Sequence, residues 1–436
     1  MTQPSVVKSA LPAAVAGLAR RRDRAFGDGA ELFYDAPVHI ERGDGVWLYD
    51  VDGTRYLDLY NNVPCVGHAN PRVASAVGEQ MATLNVHSRY LHAAAVEYAE
   101  RVVGLHDDGF ESMVTACSGT EANEVAVMMA RTATGARGII CTDSTYHGNS
   151  LQIGAMTSLP VGETRHGVRS ITAPETYRPP RPGWSVDELC DHYVAELEST
   201  IEGLERDGLG FAALMICPIF ANEGLPDVPA GYLRRAVDVV HDAGGLVIAD
   251  EVQAGFCRTG SWWGYQYQAI PPDIVTMGKP MGNGVPVSGV VASHELVTAF
   301  RSAHHYFNTY AASPIQAAAG NAVIDEIIDR DLRSSVVAAG TRLLEGLTAC
   351  SDPRIGDVRG RGLFLAVEWV VPGTTEPDPT GAHAMVEELK RRGMLVGTDG
   401  PHASVIKIRP PLVFGVEHAD LFLDAFAAAL TALPAE

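Results

Sequence analysis

Lys279 is the residue in this sequence best placed to do covalent chemistry. It lies between Gly278 and Pro280, just past an apolar stretch that begins near Asp273. A lysine attacks an aldehyde only when its amine is neutral, and burial lowers a lysine pKa toward that state. The ordinary alternative is a lysine on the surface. We interpret Lys279 as a residue that bonds to an aldehyde cofactor, and this interpretation depends on its neighbours.

Asp250 is the neighbour with the clearest role. It ends the apolar run 245–249, where a carboxylate is costly unless a partner holds it. A helix cap or a structural salt bridge would satisfy it. The functional alternative is an anion facing the protonated nitrogen of a pyridine ring, which keeps that ring an electron sink. Gln253, about one turn later, would then reach the phenolic oxygen of the same ring.

The segment Ser118-Gly-Thr-Glu-Ala-Asn marks the change from a strand to a helix. Free N–H groups and the dipole at a helix N-terminus suit a phosphate. Gly119 would supply a backbone donor, and Thr120 would add a hydroxyl. The alternative is a plain capped helix, with Ser118 or Thr120 as the cap.

Two further residues have types that suit the same site. Tyr146, in Tyr-His-Gly, follows the predicted strand 138–141 and could stack on a flat ring, although an aromatic residue in a loop more often packs. Thr309, in Phe-Asn-Thr-Tyr, offers a second hydroxyl for a phosphate or caps a turn. Each signal is weak alone, and their joint order and spacing make the pattern specific.

The elements that position these residues alternate between strand and helix. Short apolar strands separated by helices predict a parallel α/β sheet. The predicted strands are 113–117, 138–141, 212–217, 245–249 and 273–277, and the predicted helices between them are 121–132 and 232–243. The proline-rich segment 157–187 is predicted to be an irregular excursion.

The two ends of the chain have a different character. Residues 1–30 predict an alanine-rich helix with a basic end, either a surface arm or an arm that packs on a second subunit. Alternating strands at 45–50 and 54–60 precede a helix at 73–84. Helices 314–329, 332–349 and 417–433 and strands 362–369 and 405–408 predict a C-terminal α+β domain, which we expect the early strands to join. We therefore divide the chain into an N-terminal arm with part of the small domain (1–70), a large cofactor-binding domain (71–315) and a C-terminal small domain (316–436).

Composition excludes several classes of protein. A net charge of -20 argues against nucleic acid or an anionic membrane as a partner, because both need a basic face. Seven scattered cysteines without a Cys-x-x-Cys pair predict no metal site and a reducing, cytoplasmic location. We expect neither a signal peptide nor a membrane span, since no apolar run approaches ~20 residues.

Taken together, the motifs resemble those of the class III aminotransferases, pyridoxal-phosphate enzymes of fold type I. The resemblance covers the chain from about Leu48 to its end and rests on Ser-Gly-Thr-Glu-Ala-Asn, Tyr-His-Gly, Asp-Glu-Val-Gln, Gly-Lys-Pro-Met-Gly-Asn-Gly and Phe-Asn-Thr-Tyr. It implies a large domain with a mainly parallel seven-stranded sheet and a small α+β domain built from both chain ends. It also implies pyridoxal 5'-phosphate as the cofactor.

The resemblance assigns a role to each candidate residue. The residue matching Lys279 forms the Schiff base, that matching Asp250 pairs with the pyridine nitrogen, and that matching Gln253 approaches the ring oxygen. Tyr146 would stack on the ring, and the phosphate would be bound by the loop of Ser118, Gly119 and Thr120. In the family, the residue matching Thr309 reaches the phosphate from the neighbouring subunit, which implies a homodimer with shared active sites.

Segments near both ends resemble the branch that includes the amino-alcohol phosphate phospho-lyases. Two departures from the family pattern bear on the substrate. Where many members hold a substrate carboxylate with arginine, this chain has Lys407, and Arg409 is displaced by two residues on the same strand face. Where the family often has Glu-Pro, this chain has Cys217-Pro218, which removes a carboxylate beside the cofactor pocket.

The leading expectation is transamination between a small amine or amino acid and a keto acid or aldehyde. The alternative is elimination of phosphate from a phosphorylated amine, with a phosphate site formed by Arg89 and either Lys407 or Arg409. Racemisation is a third outcome of the same chemistry. A cofactor-binding regulator without catalysis would be favoured by a fused DNA-binding module, which the sequence lacks.

Overall fold

The computed structural model describes residues 13–434, and its N-terminal part contains three helices and three strands. They are α1 (Ala13–Phe26), β1 (Ile40–Asp44), β2 (Trp47–Asp50), β3 (Arg55–Asp58), α2 (Pro71–Thr83) and α3 (Ala93–Val103). The predicted N-terminal helix is present as α1, and its predicted first residues lie outside the described part of the chain. Asn70 caps α2 by accepting a hydrogen bond from the Val73 N–H (3.1 Å), and Pro71 follows where its missing N–H costs nothing.

The middle of the chain alternates between strands and helices. Its elements are β4 (Ser112–Ala116), α4 (Gly119–Thr134), β5 (Gly138–Thr142), α5 (Leu151–Gly154), β6 (Thr164–Arg165), β7 (Val168–Ile171), α6 (Val186–Arg206), β8 (Phe211–Ile216), α7 (Tyr232–Asp242), β9 (Leu246–Asp250), α8 (Gly264–Gln268), β10 (Ile274–Met277), β11 (Ser288–Ala292) and α9 (His294–Ala303). The prediction of an irregular excursion was wrong for β6 and β7, which lie within 157–187. The strand β11, a short apolar run after the Lys279 segment, was not predicted.

These strands form one large sheet in the order β4-β11-β10-β9-β8-β5-β7-β6. The neighbours from β10 through β7 in this order pair in parallel, whereas β11 runs antiparallel to both β10 and β4. The two-residue β6 pairs antiparallel at the edge and brings the number of strands to eight. The predicted α/β class with a mainly parallel sheet is confirmed.

The large sheet is buried on both faces. Alternate residues of β9 show this: Val247 and Ala249 pack into one apolar layer and Ile248 packs into the other. The same alternation makes these strands continuous apolar runs in sequence, as expected of a parallel sheet covered by helices. The sheet therefore provides a rigid edge on which site residues can be placed.

The C-terminal part joins the early strands. Its elements are α10 (Pro314–Asp329), α11 (Leu332–Thr348), β12 (Ile355–Arg361), β13 (Phe364–Trp369), α12 (Pro379–Arg391), β14 (Met394–Leu395), β15 (Gly397–Asp399), β16 (Val405–Ile408) and α13 (Val416–Ala432). One four-stranded sheet, β1-β2-β3-β14, combines both chain ends, and a second has the order β12-β13-β16-β15. Between residues 13 and 434, no helix is both long and apolar enough to cross a membrane.

Candidate active site

Asp250 and Lys279 are placed side by side by two neighbouring parallel strands. Asp250 is the last residue of β9 and pairs in register with Thr276 of β10. Lys279 follows the end of β10 and begins one turn of 3-10 helix. Its φ of 32° lies in the left-handed region, which a residue with a side chain adopts at a cost.

The amine of Lys279 is desolvated and available. Surrounding protein lowers its pKa from 10.5 to about 8, an effect that Asp250 opposes and that the charges of Arg409 and Lys407 increase. Lys279 is partly accessible because it lines a cavity, and within residues 13–434 its amine has no hydrogen-bond or ion-pair partner. The neutral, nucleophilic amine is therefore accessible near neutral pH.

Asp250 is held as an anion by three hydrogen bonds. His147 Nδ1 lies 2.7 Å from its Oδ2, Asn123 Nδ2 donates to the same oxygen at 3.0 Å, and the Val252 N–H donates to Oδ1 at 2.9 Å. Burial favours the neutral acid, but the bond and charge of His147 outweigh it, and the pKa of Asp250 lies below its ordinary value. Oδ1 keeps a lone pair for a cationic partner.

The start of α4 supplies the other end of the site. Ser118 is its N-cap, and its hydroxyl accepts a hydrogen bond from the Glu121 N–H (3.2 Å), as the capping alternative predicts. Gly119 and Thr120 form the first turn behind this cap. Gly148 has a φ of 142°, and a Cβ there would lie 2.5 Å from Thr120 Oγ1, so only glycine leaves this hydroxyl unobstructed.

A cavity of 180 Å³ brings most of the predicted residues together. Its lining is Gly119, Thr120, Tyr146, His147, Gly148, Cys217, Asn222, Asp250, Val252, Gln253 and Lys279. Five predicted residues are absent from this lining, namely Ser118, Thr309, Arg89, Lys407 and Arg409. Thr309 and Arg89 are exposed, and the Arg89 guanidinium lies 4.0 Å from the centre of the Phe307 ring.

The two candidate anion binders on β16 and just after it have different surroundings. Lys407 is buried, its amine donates to the carbonyl of Ala221 (2.6 Å), and it forms an ion pair with Asp399. Burial lowers the pKa of Lys407, although Asp399 opposes the shift. Arg409 donates from Nη1 to Oε1 of Gln253, and its buried Nε has no partner in the described chain.

Three residues that contact the predicted set were not assigned a role from sequence. His147 and Asn123 stand inside the quoted motifs and bond to Asp250. Asn222 follows β8 and joins two cavity residues, since its Oδ1 accepts from Gln253 Nε2 (3.0 Å) and its Nδ2 donates to the Tyr146 carbonyl (3.2 Å). For His147 and Asn222 the available signal was their position in the loops after the parallel strands β5 and β8, where ligands bind in α/β sheets.

One group of possible metal ligands lies away from this cavity. His383 Nε2 is 3.0 Å from Asp35 Oδ1, and Glu387 completes the cluster. The Lys390 amine lies 3.3 Å from Glu387 and already supplies a positive charge. We therefore assign no metal to this group.

Comparison with known proteins identifies the family of the chain. The family model of class III aminotransferases matches residues 33–430. The chain belongs to this family. Its members depend on pyridoxal phosphate, so the cofactor expected from the motifs is confirmed.

The similar proteins include both an aminotransferase-like protein and phospho-lyases. The chain is 36% identical over 433 residues to an alanine–glyoxylate aminotransferase 2-like protein of Drosophila melanogaster, covering 95% of this chain and 87% of that one. It is 32% identical over 420 residues to ethanolamine-phosphate phospho-lyase homolog 1 of Caenorhabditis elegans, with 91% and 89% covered. A solved phospholyase from Arthrobacter, in complex with phosphoethanolamine, is 41% identical with a TM-score of 0.92, and the match covers 96% of this chain and all of that one.

The cavity suits pyridoxal phosphate. It contains an unpaired lysine for the aldehyde and a buried carboxylate, Asp250, with a free lone pair for the ring nitrogen. The backbone N–H groups of Gly119 and Thr120 at the start of α4 offer donors for a phosphate, whereas the Thr120 hydroxyl donates to Asn149 Oδ1 at 3.3 Å. The orphaned, buried Oδ1 of Asn123 is a further unused polar atom beside Asp250.

Proposed function

We propose that this enzyme eliminates phosphate from a small phosphorylated primary amine. The observation that carries the proposal is the 41% identity to the phospholyase in complex with phosphoethanolamine, over 96% of this chain. Transamination, which the sequence alone placed first, becomes the second candidate. Both reactions begin with the same proton transfer. They differ in the next step, which is the departure of phosphate in elimination and the return of the proton in transamination.

The environment of Lys407 supports this order. A bidentate arginine is the usual partner of a carboxylate, and lysine is a poorer substitute. Here the Lys407 amine is already neutralised by Asp399 and bonded to a backbone carbonyl. Position 407, which would bind an α-carboxylate, therefore has little positive charge to offer. This favours a substrate amine that carries no carboxylate.

The residues of the chain perform the proton transfers. When bound, the cofactor supplies an electron sink for the carbon that carries the substrate amine. Lys279 takes the proton from that carbon as a general base, for which a pKa of about 8 is well matched. The bond from the neighbouring carbon to oxygen breaks, and phosphate leaves with its electron pair. Water then converts the remaining enamine to an aldehyde and ammonia.

We propose Arg409 as the residue that binds the departing phosphate. It lies next to Gln253, which lines the cavity, and its unpartnered Nε leaves a donor for an anion. Its guanidinium lies 4.3 Å from the centre of the Tyr60 ring, which orients it. A guanidinium so held binds phosphate at two oxygens.

Phosphate release without an amino acceptor tests the proposal. We expect the purified enzyme, loaded with cofactor, to release phosphate and aldehyde in equal amounts from phosphoethanolamine when no keto acid is present. A parallel reaction contains a simple amine and pyruvate, with alanine as the readout. Alanine formation without phosphate release from phosphoethanolamine would refute the elimination and leave transamination.

Transamination keeps specific support from the Drosophila relative, which is an alanine–glyoxylate aminotransferase 2-like protein. For this reaction Lys279 would return its proton to the cofactor side instead of allowing phosphate to leave. The same pair of assays therefore separates the candidates, because only transamination requires an acceptor.

We also propose a homodimer in which each subunit completes the site of the other. Arg89 lies against Phe307, two residues from Thr309, so both predicted residues share one exposed face rather than the cavity of their own chain. A cluster of exposed apolar side chains accompanies them: Met81, Leu84, Tyr90, Leu91, Val96 and Tyr310. A second copy would cover this surface and bring Thr309 and Arg89 to the partner's cavity.

The dimer predicts a mass of twice 46.4 kDa by light scattering. Leu91, which is fully exposed, should be buried in the interface, so we expect Leu91→Asp to yield monomers that lose both cofactor and activity. Leu421→Asp changes an exposed leucine on α13 and is the matched control. A fully active monomer would contradict the shared site.

A further inference from the structure

Arg409 is held by an aromatic ring and an amide, without a carboxylate. Its guanidinium carbon lies 4.3 Å from the centre of the Tyr60 ring, and its Nη1 donates to Gln253. Within residues 13–434 no aspartate or glutamate forms an ion pair with Arg409, and its buried Nε has no partner. A ring face orients a guanidinium without neutralising it. The positive charge of Arg409 therefore stays available for an anion, unlike that of Lys407.

Tyr60 is fixed at its backbone and on one side of its ring. Its N–H donates to Asp58 Oδ1 at 2.9 Å, and the Arg409 N–H donates to the carbonyl of Leu59 at 2.8 Å. Gly397 of β15 packs against the ring, since a Cβ at position 397 would lie 2.6 Å from Tyr60 Cε2. The ring and the guanidinium are therefore carried by adjoining backbone segments.

Phe33 supplies a further contact to the same ring. It belongs to the segment 27–39 between α1 and β1, which contains neither helix nor strand and which we call the N-terminal strap. The centres of the Phe33 and Tyr60 rings are 4.9 Å apart and their planes meet at 67°, an edge-to-face arrangement that aromatic pairs favour. Phe33 is 50% exposed, so it covers Tyr60 from the solvent side and is not part of the core.

Polar contacts fasten the strap to the C-terminal part of the chain. The Tyr34 hydroxyl donates to the Val396 carbonyl at 3.0 Å, and the Asp35 N–H donates to Glu387 Oε1 at 2.8 Å. His383 Nε2 lies 3.0 Å from Asp35 Oδ1. Tyr34 has a φ of 68°, a conformation that a residue with a side chain keeps only where its surroundings hold it. The cluster of Asp35, His383 and Glu387 therefore anchors the strap on α12.

We propose that Phe33 and Tyr60 are positioning residues that orient Arg409 toward the phosphate group of the substrate. Phe33 holds the Tyr60 ring, Tyr60 holds the guanidinium, and the guanidinium contacts Gln253 of the cavity lining. The inference rests on the proposed function, because it concerns the residue that binds the departing phosphate. The two rings act on the affinity for phosphate and leave the proton transfer to Lys279.

The test is the affinity of the holoenzyme for inorganic phosphate, measured by calorimetry, together with steady-state kinetics on phosphoethanolamine. We expect Phe33→Ala and Tyr60→Leu to weaken phosphate binding and to raise KM by about threefold to tenfold, because the guanidinium loses its fixed orientation. The kcat and the visible absorbance of the bound cofactor should not change, since a lost binding contact raises KM alone. A general structural defect would instead lower kcat and the cofactor content.

Two further variants are controls for the ring contacts. Tyr60→Phe keeps the ring face and removes a hydroxyl that makes no hydrogen bond within residues 13–434, so it should retain the phosphate affinity lost in Tyr60→Leu. Phe26→Ala removes a phenylalanine at the end of α1 that is 77% exposed and contacts no other ring in the described chain. It should bind phosphate as the unmodified enzyme does.

Arg409→Gln separates this inference from the proposed function, and we expect it to weaken phosphate binding by at least about tenfold. If Arg409→Gln loses phosphate while Phe33→Ala and Tyr60→Leu bind it normally, the strap has no positioning role and the phosphate site stands. The strap is also excluded if Phe26→Ala weakens binding as much as Phe33→Ala. If Arg409→Gln binds phosphate as tightly as the unmodified enzyme, or the unmodified enzyme binds none, the phosphate site is wrong and the inference falls with it.

Discussion

Replacement of Lys279 by alanine lowers turnover by about a thousandfold or more, because the chain loses its general base together with the amine that holds the cofactor. Within residues 13–434 the other two lysines have partners: Lys407 contacts Asp399 and Ala221, and Lys390 contacts Glu387 and Ala36. The measurements are steady-state release of phosphate and the visible absorbance of the bound cofactor. Both should be lost, while the circular dichroism spectrum should not change.

Lys390→Arg is the matched control for this variant. Lys390 pairs with Glu387 and donates to the Ala36 carbonyl, away from the cavity, and the arginine keeps its charge. Turnover should stay within a factor of about two of the unmodified enzyme, the usual range for substitutions remote from the chemistry. Persistent turnover in Lys279→Ala would remove the basis of the mechanism.

Asp250→Asn has the second-largest expected effect, a loss of about a hundredfold to a thousandfold in kcat/KM. The amide keeps the size of the side chain but removes the anion that faces the ring nitrogen. Because the pKa of Asp250 is below its ordinary value, the wild-type charge is present throughout the neutral range and the loss should not be recovered by raising the pH. Kinetics from pH 6 to 9 check this.

The control for Asp250→Asn is Asp238→Asn on the exposed surface of α7, where the carboxylate lies 3.3 Å from Arg234 in a weak pair. It should retain full activity. If Asp250→Asn were as active as this control, the ring nitrogen of the cofactor would not need the Asp250 carboxylate. The orientation of the cofactor that places this nitrogen against Asp250 would then be wrong.

The fold and the centre of the site follow from local patterns in the sequence. Buried parallel strands are continuous apolar runs, and the residues that follow their carboxyl ends converge on one edge of the sheet. This is why Asp250, Gln253, Lys279, Thr120 and Tyr146 could be expected together, and the structure places all of them around one cavity. The strands β7 and β11 were missed because their apolar residues are interrupted: β7 contains Arg169 and Ser170, and β11 begins with Ser288 and Gly289.

What could not be predicted depends on contacts between distant parts of the chain. The bond between His147 and Asp250 joins residues 103 positions apart. The ion pair between Lys407 and Asp399 depends on the register of β15 on β16, and it occupies a lysine that the sequence had left free to bind substrate. Burial and pairing are set by packing, and strand alternation alone gives only the face on which a residue lies.

The most direct test of the site is to reduce the holoenzyme with borohydride, digest it and map the attached cofactor by mass spectrometry. The structure predicts a single modified peptide, with the pyridoxyl group on Lys279, since its amine is unpaired and its pKa is lowered to about 8. The modification should be absent from Lys279→Ala treated in the same way. A cofactor found on Lys407 or Lys390 instead would contradict the assignment of this cavity as the active site.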